Sequence, residues 1–135
     1  MITTKGRYAV RVMLDLAQHE GESPVSLNEI AERQFISKKY LEAIMRNLVS
    51  AKLVEASRGK YGGYRLVRSP SDYPIGEILE AAEGPLAPVA CLKPDAELCP
   101  IKDQCKSLPL WKRYDDLIAD FFNSNTLQSV LEESA

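Results

Sequence analysis

Between Ser26 and Leu66 the chain sets out two short amphipathic helices, a break and a Gly-rich hairpin carrying cations, and this order of parts leaves little freedom in how it folds. In Ser26-Leu27-Asn28-Glu29 a Ser is followed three residues later by a Glu, a capping box that opens a helix with Ile30 and Ala31 on its buried side. Gln34, Phe35 and Ile36 form the break. Ser37 is placed to accept a hydrogen bond from an orphan backbone N–H at the start of a second helix that runs to about Ser50. There Leu41, Ile44, Met45 and Leu48 fall at i, i+3, i+4 and i+7 and so share one inward face. The opposite face holds Lys39, Ala43 and Arg46, with Glu42 beside it and Lys38 and Tyr40 in the first turn. Leu53-Val54-Glu55-Ala56 and Tyr64-Arg65-Leu66-Val67 alternate as strands, joined by a tip in which Arg58, Lys60 and Tyr61 stand among glycines. Those glycines permit positive φ and a close approach of backbone to a ligand.

Helix, turn, helix and hairpin in this order make a winged helix-turn-helix, so the fold expected is mainly α with a small β-hairpin. A narrow, cationic, lightly built helix face suits a DNA major groove about 12 Å wide, which marks the second helix as a recognition helix. Arg58 and Lys60 at the hairpin tip can meet phosphate or a narrow minor groove. By itself the hairpin is equally a solvated surface loop; its place directly after the helix-turn-helix favours a nucleic-acid contact. In the first helix, capped by Thr3 or Thr4, Ala9, Met13, Leu16 and Ala17 line one side. Lys5 and Arg7 in its first turn oppose the helix dipole, and a DNA phosphate bound there is one reason for their presence. Charges without a role are the other.

Charge divides the chain the same way. The net charge of -2 argues for no polyanion, yet residues 1–68 hold 12 Lys/Arg against 7 Asp/Glu and the remainder 5 against 12. With 135 residues and 45% hydrophobic content the chain can bury one core with appendages, and no apolar run approaches the roughly 20 residues of a membrane span. Met1-Ile2-Thr3-Thr4-Lys5 leads straight into a helix without the features of a signal peptide, which predicts a cytoplasmic protein with no membrane partner. One His, no nucleophile elbow and no metal-binding His pair leave nothing to assemble a general base beside a nucleophile, so no enzyme is expected.

Past the hairpin, Ile75, Ile78, Leu79 and Ala82 mark a short helix that Gly84 can end, and Pro85 to Ala90 reads as a connector. From Leu108 to Asn123 a longer helix, with Ser107 as its cap and Pro109 in its first turn, carries Leu110, Trp111, Tyr114, Leu117, Ile118, Phe121 and Phe122. This apolar surface is too wide for a small monomer to hide. Pairing with a second copy is its expected use, with packing on the Ile75 helix as the competing one, and a two-fold homodimer suits double-stranded DNA with a pseudo-palindromic operator. Thr126 caps a last helix containing Leu127, Val130 and Leu131. The expected division is therefore residues 1–70 as the winged helix-turn-helix and 71–135 as a cysteine-containing sensor loop with dimerisation helices.

All three cysteines, Cys91, Cys99 and Cys105, lie between those helices in a segment with little periodic apolar content, so burial alone cannot order it. Clustered thiols in a reducing compartment favour an iron-sulfur cluster or zinc over a disulfide, and the odd count leaves one thiol over. Zinc is disfavoured by the wide spacing and by having three thiols where structural sites take four ligands, while free or redox-active thiols stay open. A small iron-sulfur electron-transfer protein would account for thiolates and an acidic half, but ferredoxin-type clusters normally take four cysteines. A winged helix that binds protein rather than DNA is a further alternative, separable by salt-dependent retention on duplex DNA.

Thr4-Lys5-Gly6-Arg7-Tyr8-Ala9-Val10, Gly62-Gly63-Tyr64, the three cysteines and Leu110-Trp111 resemble the family of winged-helix regulators that includes the iron-sulfur cluster regulator IscR, the nitric-oxide sensor NsrR and the cysteine-metabolism repressor CymR. The similarity runs from about Ile2 to Leu131. It implies a homodimeric transcription factor whose promoter binding responds to an iron-sulfur cluster, 2Fe-2S or 4Fe-4S, or to thiol state. It also implies Cys91, Cys99 and Cys105 as ligands, and Lys39, Glu42, Ala43 and Arg58 as DNA contacts. Two positions depart from the pattern. IscR-like proteins place a His ligand where this chain has Leu108, and NsrR-like proteins place an Asp where it has Arg7. Asp95, Glu97, Asp103 or a small molecule are the remaining candidates for a fourth ligand, and a cluster-free, thiol-sensing repressor of the CymR type is the alternative.

Overall fold

The computed structural model describes residues 2–97 and 99–134. Helix α1 (Thr4–Gln18) is capped by Thr3, whose hydroxyl accepts from the Lys5 N–H, and it buries Ala9, Val12, Met13 and Leu16. Helices α2 (Leu27–Gln34) and α3 (Lys38–Ser50) follow as expected, with Ser26 Oγ accepting from Glu29 N–H and Ser37 Oγ from Tyr40 N–H, each at 3.2 Å. The box at Ser26 is half of the one expected, because the Glu29 carboxylate turns instead toward Arg33, 3.8 Å away. Leu41, Ile44, Met45 and Leu48 are all buried. At about 1.5–3 kcal/mol for each such side chain, this burial decides which face of α3 turns inward.

Strands β1 (Val54–Ser57) and β2 (Gly63–Leu66) pair antiparallel with Val54 opposite Leu66 and Ser57 opposite Gly63, each displaced by about one residue from the sequence expectation. Val25, just ahead of α2, adds a bridge to Tyr64 on the other edge of β2, with N···O distances of 2.9 and 2.8 Å. The hairpin is thus tied to the start of the helix-turn-helix as well as to its end.

After a 3₁₀ turn at Pro70–Asp72, helix α4 (Ile75–Glu83) ends at Gly84 with φ 86°, as the glycine predicts. Tyr73 is fully buried, donates its hydroxyl to the Leu53 carbonyl at 2.7 Å, and accepts from the Val67 and Arg68 N–H groups at 2.9 and 3.1 Å. Burial raises the Tyr73 pKa, so the hydroxyl stays a donor. Arg68 forks onto Glu77 at 2.7 and 2.9 Å and lies over the Tyr73 ring. Tyr73, Ile75, Ile78, Leu79 and Leu127 belong to the same buried cluster as α1 and α3.

Helix α5 (Leu108–Ser124) has no buried residue. Trp111, Ile118 and Phe122 are half-buried, while Leu110, Tyr114, Leu117 and Phe121 form an exposed stripe. Ser107 does not cap it; its hydroxyl accepts from Trp111 Nε1 at 3.2 Å and lies 3.4 Å from the Cys105 sulfur. Helix α6 (Leu127–Glu133) opens with a capping box between Thr126 and Ser129 and buries Leu127. Among the described residues no helix is long and apolar enough to cross a membrane.

Candidate nucleic-acid interface

With its apolar face buried, α3 presents Lys38, Lys39, Glu42 and Arg46 to solvent, and Ala43 is half-buried between them. Tyr40, the remaining predicted contact on this helix, is half-buried and packs edge-on against Tyr8 at 5.7 Å between ring centroids. The Arg11 guanidinium lies 4.9 Å from the Tyr8 ring centre, so the start of α3 rests on an aromatic and cationic shelf built from α1.

A polar network that sequence reasoning missed joins the end of α2 to α1. Asp15, at 1% exposure, accepts from Arg33 Nε and Nη2 at 3.0 and 2.8 Å and from Gln34 Nε2 at 2.9 Å. Arg11 reaches the Gln34 side chain at 3.2 Å and also donates to its backbone carbonyl. Burial pushes the Asp15 carboxyl up, but the bonds from Arg33 and Gln34 and the charges of Arg33 and His19 outweigh it and hold the group below its ordinary value. The last turn of α2 is thereby fastened to the second half of α1. A signal was present: Asp15 falls three residues after Val12 on the apolar side of α1, where a carboxylate has to have partners.

Lys5 and Arg7 are exposed on the first turn of α1. The acid that this helix end calls for comes from within the chain, since Glu83 at the end of α4 accepts from the Thr3 N–H at 2.5 Å and from the Thr3 hydroxyl. A carboxylate there offsets the positive end of the helix and lets two cations sit beside it. Glu83 was not foreseen, because its partner lies 80 residues away.

Arg58, Lys60 and Tyr61 are exposed at the hairpin tip, Tyr61 at 82%, with the Lys60 ammonium 5.7 Å from the Tyr61 ring centre. Of the tip glycines Gly59 alone takes positive φ, 103°. Gly62 and Gly63 serve the chain's own packing instead of a ligand: a Cβ on either would stand 2.3 Å from a backbone oxygen, that of Ser57 or of Val25. The exposed face of α3 and the hairpin tip lie in one polypeptide stretch braced by Val25, which defines a winged helix-turn-helix.

The three cysteines are free thiols, Cys91 exposed and the others half-buried, and all three line one cavity of about 330 Å³. Glu97 shares it, as do Lys93, Lys102 and Lys112; Leu108 forms part of the wall. Asp95 and Asp103 do not line it, and His19 bonds the Asp15 carbonyl on α1 instead. Among the described residues no three His, Cys, Asp or Glu side chains converge on a single-ion position. The thiols share the lining of one cavity, and thiolates are soft donors that suit iron-sulfur groups or zinc. The Ser107 hydroxyl lowers the Cys105 pKa, helped by the N–H groups of Ser107 and Leu108.

Residues 2–133 match the Rrf2 family, described as iron-dependent transcriptional regulators. The HTH-type transcriptional regulator CymR of Bacillus subtilis is 40% identical over 129 residues, which is 96% of this chain and 88% of that one. The HTH-type transcriptional regulator IscR of Pectobacterium carotovorum is 39% identical over 130 residues, covering 96% and 78%. The solved structure of CymR, the global cysteine regulator of B. subtilis, superposes with a TM-score of 0.82 at 36% identity over 98% of this chain and 97% of that one. The chain belongs to the Rrf2 family and is a DNA-binding transcriptional regulator.

Proposed function

We propose that two copies pair through the exposed stripe of α5 and set their α3 helices into successive major grooves of a pseudo-palindromic operator, about 34 Å apart, with the thiol cavity controlling the fit. The observation that carries this reading is α3 itself: every large apolar side chain of its inner face is buried while Lys38, Lys39, Glu42 and Arg46 stand free. Lys39, Glu42 and Ala43 face base edges; Lys38, Tyr40 and Arg46 meet the groove walls. Arg58, Lys60 and Tyr61 follow the backbone toward the minor groove, and Lys5 and Arg7 hold phosphate beside α1. The protein acts in the cytoplasm, where its thiols stay reduced.

Cys91, Cys99 and Cys105 would hold an iron-sulfur cluster, two-iron or four-iron, and Glu97, which lines the same cavity, is our candidate for the remaining ligand. When bound, such a group supplies a redox-labile tie between thiolates. Lys93, Lys102 and Lys112 offset the negative charge gathered there. Residues 91–105 lead directly into α5, so ordering that loop shifts the dimer helix and with it the distance between recognition helices. A second reading, a cluster-free thiol switch, draws support from the exposure of Cys91 and from the contact between Cys105 and Ser107.

Protein prepared without oxygen, analysed for visible absorption, iron and sulfide as wild type and Cys99→Ala, separates the two. In gel shifts Arg58→Ala should weaken binding whatever the state of the cavity, whereas Cys105→Ala should abolish the difference between states. The reverse pattern would overturn the assignment, and absence of iron and sulfide alongside thiol-dependent binding would select the switch.

A further inference from the structure

Phe35 closes α2 with φ 55° and ψ 44°, the left-handed region in which a bulky L-residue is strained and helices commonly end on Gly. The conformation serves the fold, because it brings the Ile36 N–H to the Ala31 carbonyl at 3.2 Å and drops Ile36 into the core. Glycine would do this at less cost. The ring itself gains nothing from the subunit, being 93% exposed, so water keeps the full penalty of an apolar surface. Lys52, the other non-glycine residue at positive φ among those described, carries a side chain that water solvates well.

The surroundings of Phe35 say what could cover it. It stands on the rim of an open groove walled by Thr4 and Tyr8 of α1 and by Ser37 and Tyr40 at the start of α3. Lys5, Arg7, Lys38 and Lys39 are exposed around that region, a charge pattern complementary to a polyanion. Phe35 lies just ahead of the first turn of α3, the part of a recognition helix that reaches base edges. A phenyl ring gains nothing from phosphates or from polar base edges. The apolar feature of the major groove is the C5-methyl of thymine.

We infer that Phe35 is a specificity residue, its ring packed on a thymine methyl at the edge of each half-site read by α3. The inference rests on the DNA-binding reading above, and its test keeps the two apart. A duplex is first selected from a random pool with the wild-type protein, and each thymine is then replaced in turn by uracil, which lacks the methyl. Affinities are measured by fluorescence anisotropy for wild type, Phe35→Gly and Phe35→Asn, both replacements being compatible with the left-handed backbone.

Uracil at one symmetric pair of positions should weaken the wild type about fourfold per half-site, hence about fifteenfold for the dimer. Both variants should lose that factor on the thymine duplex, be indifferent to the replacement, and melt at or above the wild-type temperature. Variants that bind as tightly as wild type, that still discriminate uracil, or that lose affinity equally on both duplexes without any uracil effect in the wild type would overturn the inference. So would a lower melting temperature in both variants, which would give the ring a structural role. Failure of the wild type to select any duplex would remove the DNA-binding reading itself, whereas failure confined to Phe35 leaves it standing.

Discussion

Replacing Asp15 by Asn tests how much the clasp between α1 and α2 stabilises the fold. The carboxylate is buried and accepts three hydrogen bonds, two from the Arg33 guanidinium and one from Gln34. An Asn keeps the shape but removes the charge and turns an amide donor toward groups that are themselves donors. Hydrogen bonds to a charged group are worth about 1.5–3 kcal/mol each, yet the Arg33 side chain is 33% exposed and water can recover part of its loss. A cost of about 3 kcal/mol follows, toward the lower end of what breaking a buried pair takes, and it corresponds to roughly 10 °C in Tm for a domain of this size. The pH dependence supplies a second reading. The Asp15 pKa is lower in the folded chain than its ordinary value of 3.8. Its stabilisation is therefore complete above that value and is lost as pH falls through the folded pKa. Thermal melts by circular dichroism should show the wild type losing stability over that acid range and D15N losing less, starting from a lower Tm at pH 7. Glu29→Gln, which removes only an exposed 3.8 Å pair with the same Arg33, should change Tm hardly at all. A D15N protein that melts within about 2 °C of wild type at pH 7 would refute the reasoning, given the expected drop of about 10 °C.

Tyr73→Phe strips the hydroxyl that joins Leu53, Val67 and Arg68, and leaving those backbone groups short of a partner should cost about 1–3 kcal/mol in urea unfolding. Because the bonds that loosen lie at the base of the hairpin, DNA affinity should fall with it even though Tyr73 is buried. Leu117→Asp, on the exposed stripe of α5, should leave Tm of the isolated subunit nearly unchanged and shift sedimentation toward the monomer; an intact dimer would place the interface elsewhere.

Local chemistry made much of this protein legible from its residues. Ser37 followed by a 3.6-residue apolar repeat specifies where α3 begins and which face is buried, because capping and periodic burial both act within a few turns of chain. Gly84 and Thr126 ended and began helices for the same reason. Ser107 misled, since a hydroxyl at a helix start also has side-chain neighbours to choose from, and Trp111 and Cys105 took it. The hairpin glycines suggest a backbone close to a ligand, but what approaches Gly62 and Gly63 is the carbonyl of Ser57 or Val25, a partner that a linear reading does not reveal.

From its sequence alone the chain determined the helix-turn-helix and its hairpin, the outward cationic face of α3, and the gathering of three thiols ahead of α5. Those features depend on neighbours a few positions apart. Tertiary structure decided how they are held: Asp15 fastening α2 to α1, Glu83 reaching back to Thr3, Tyr73 clasping the hairpin base, and Glu97 alone among the three acids of the thiol segment facing the thiols. Each joins groups from separate elements whose meeting follows from how the whole core packs, and so their pairing exists only once the chain has closed on itself.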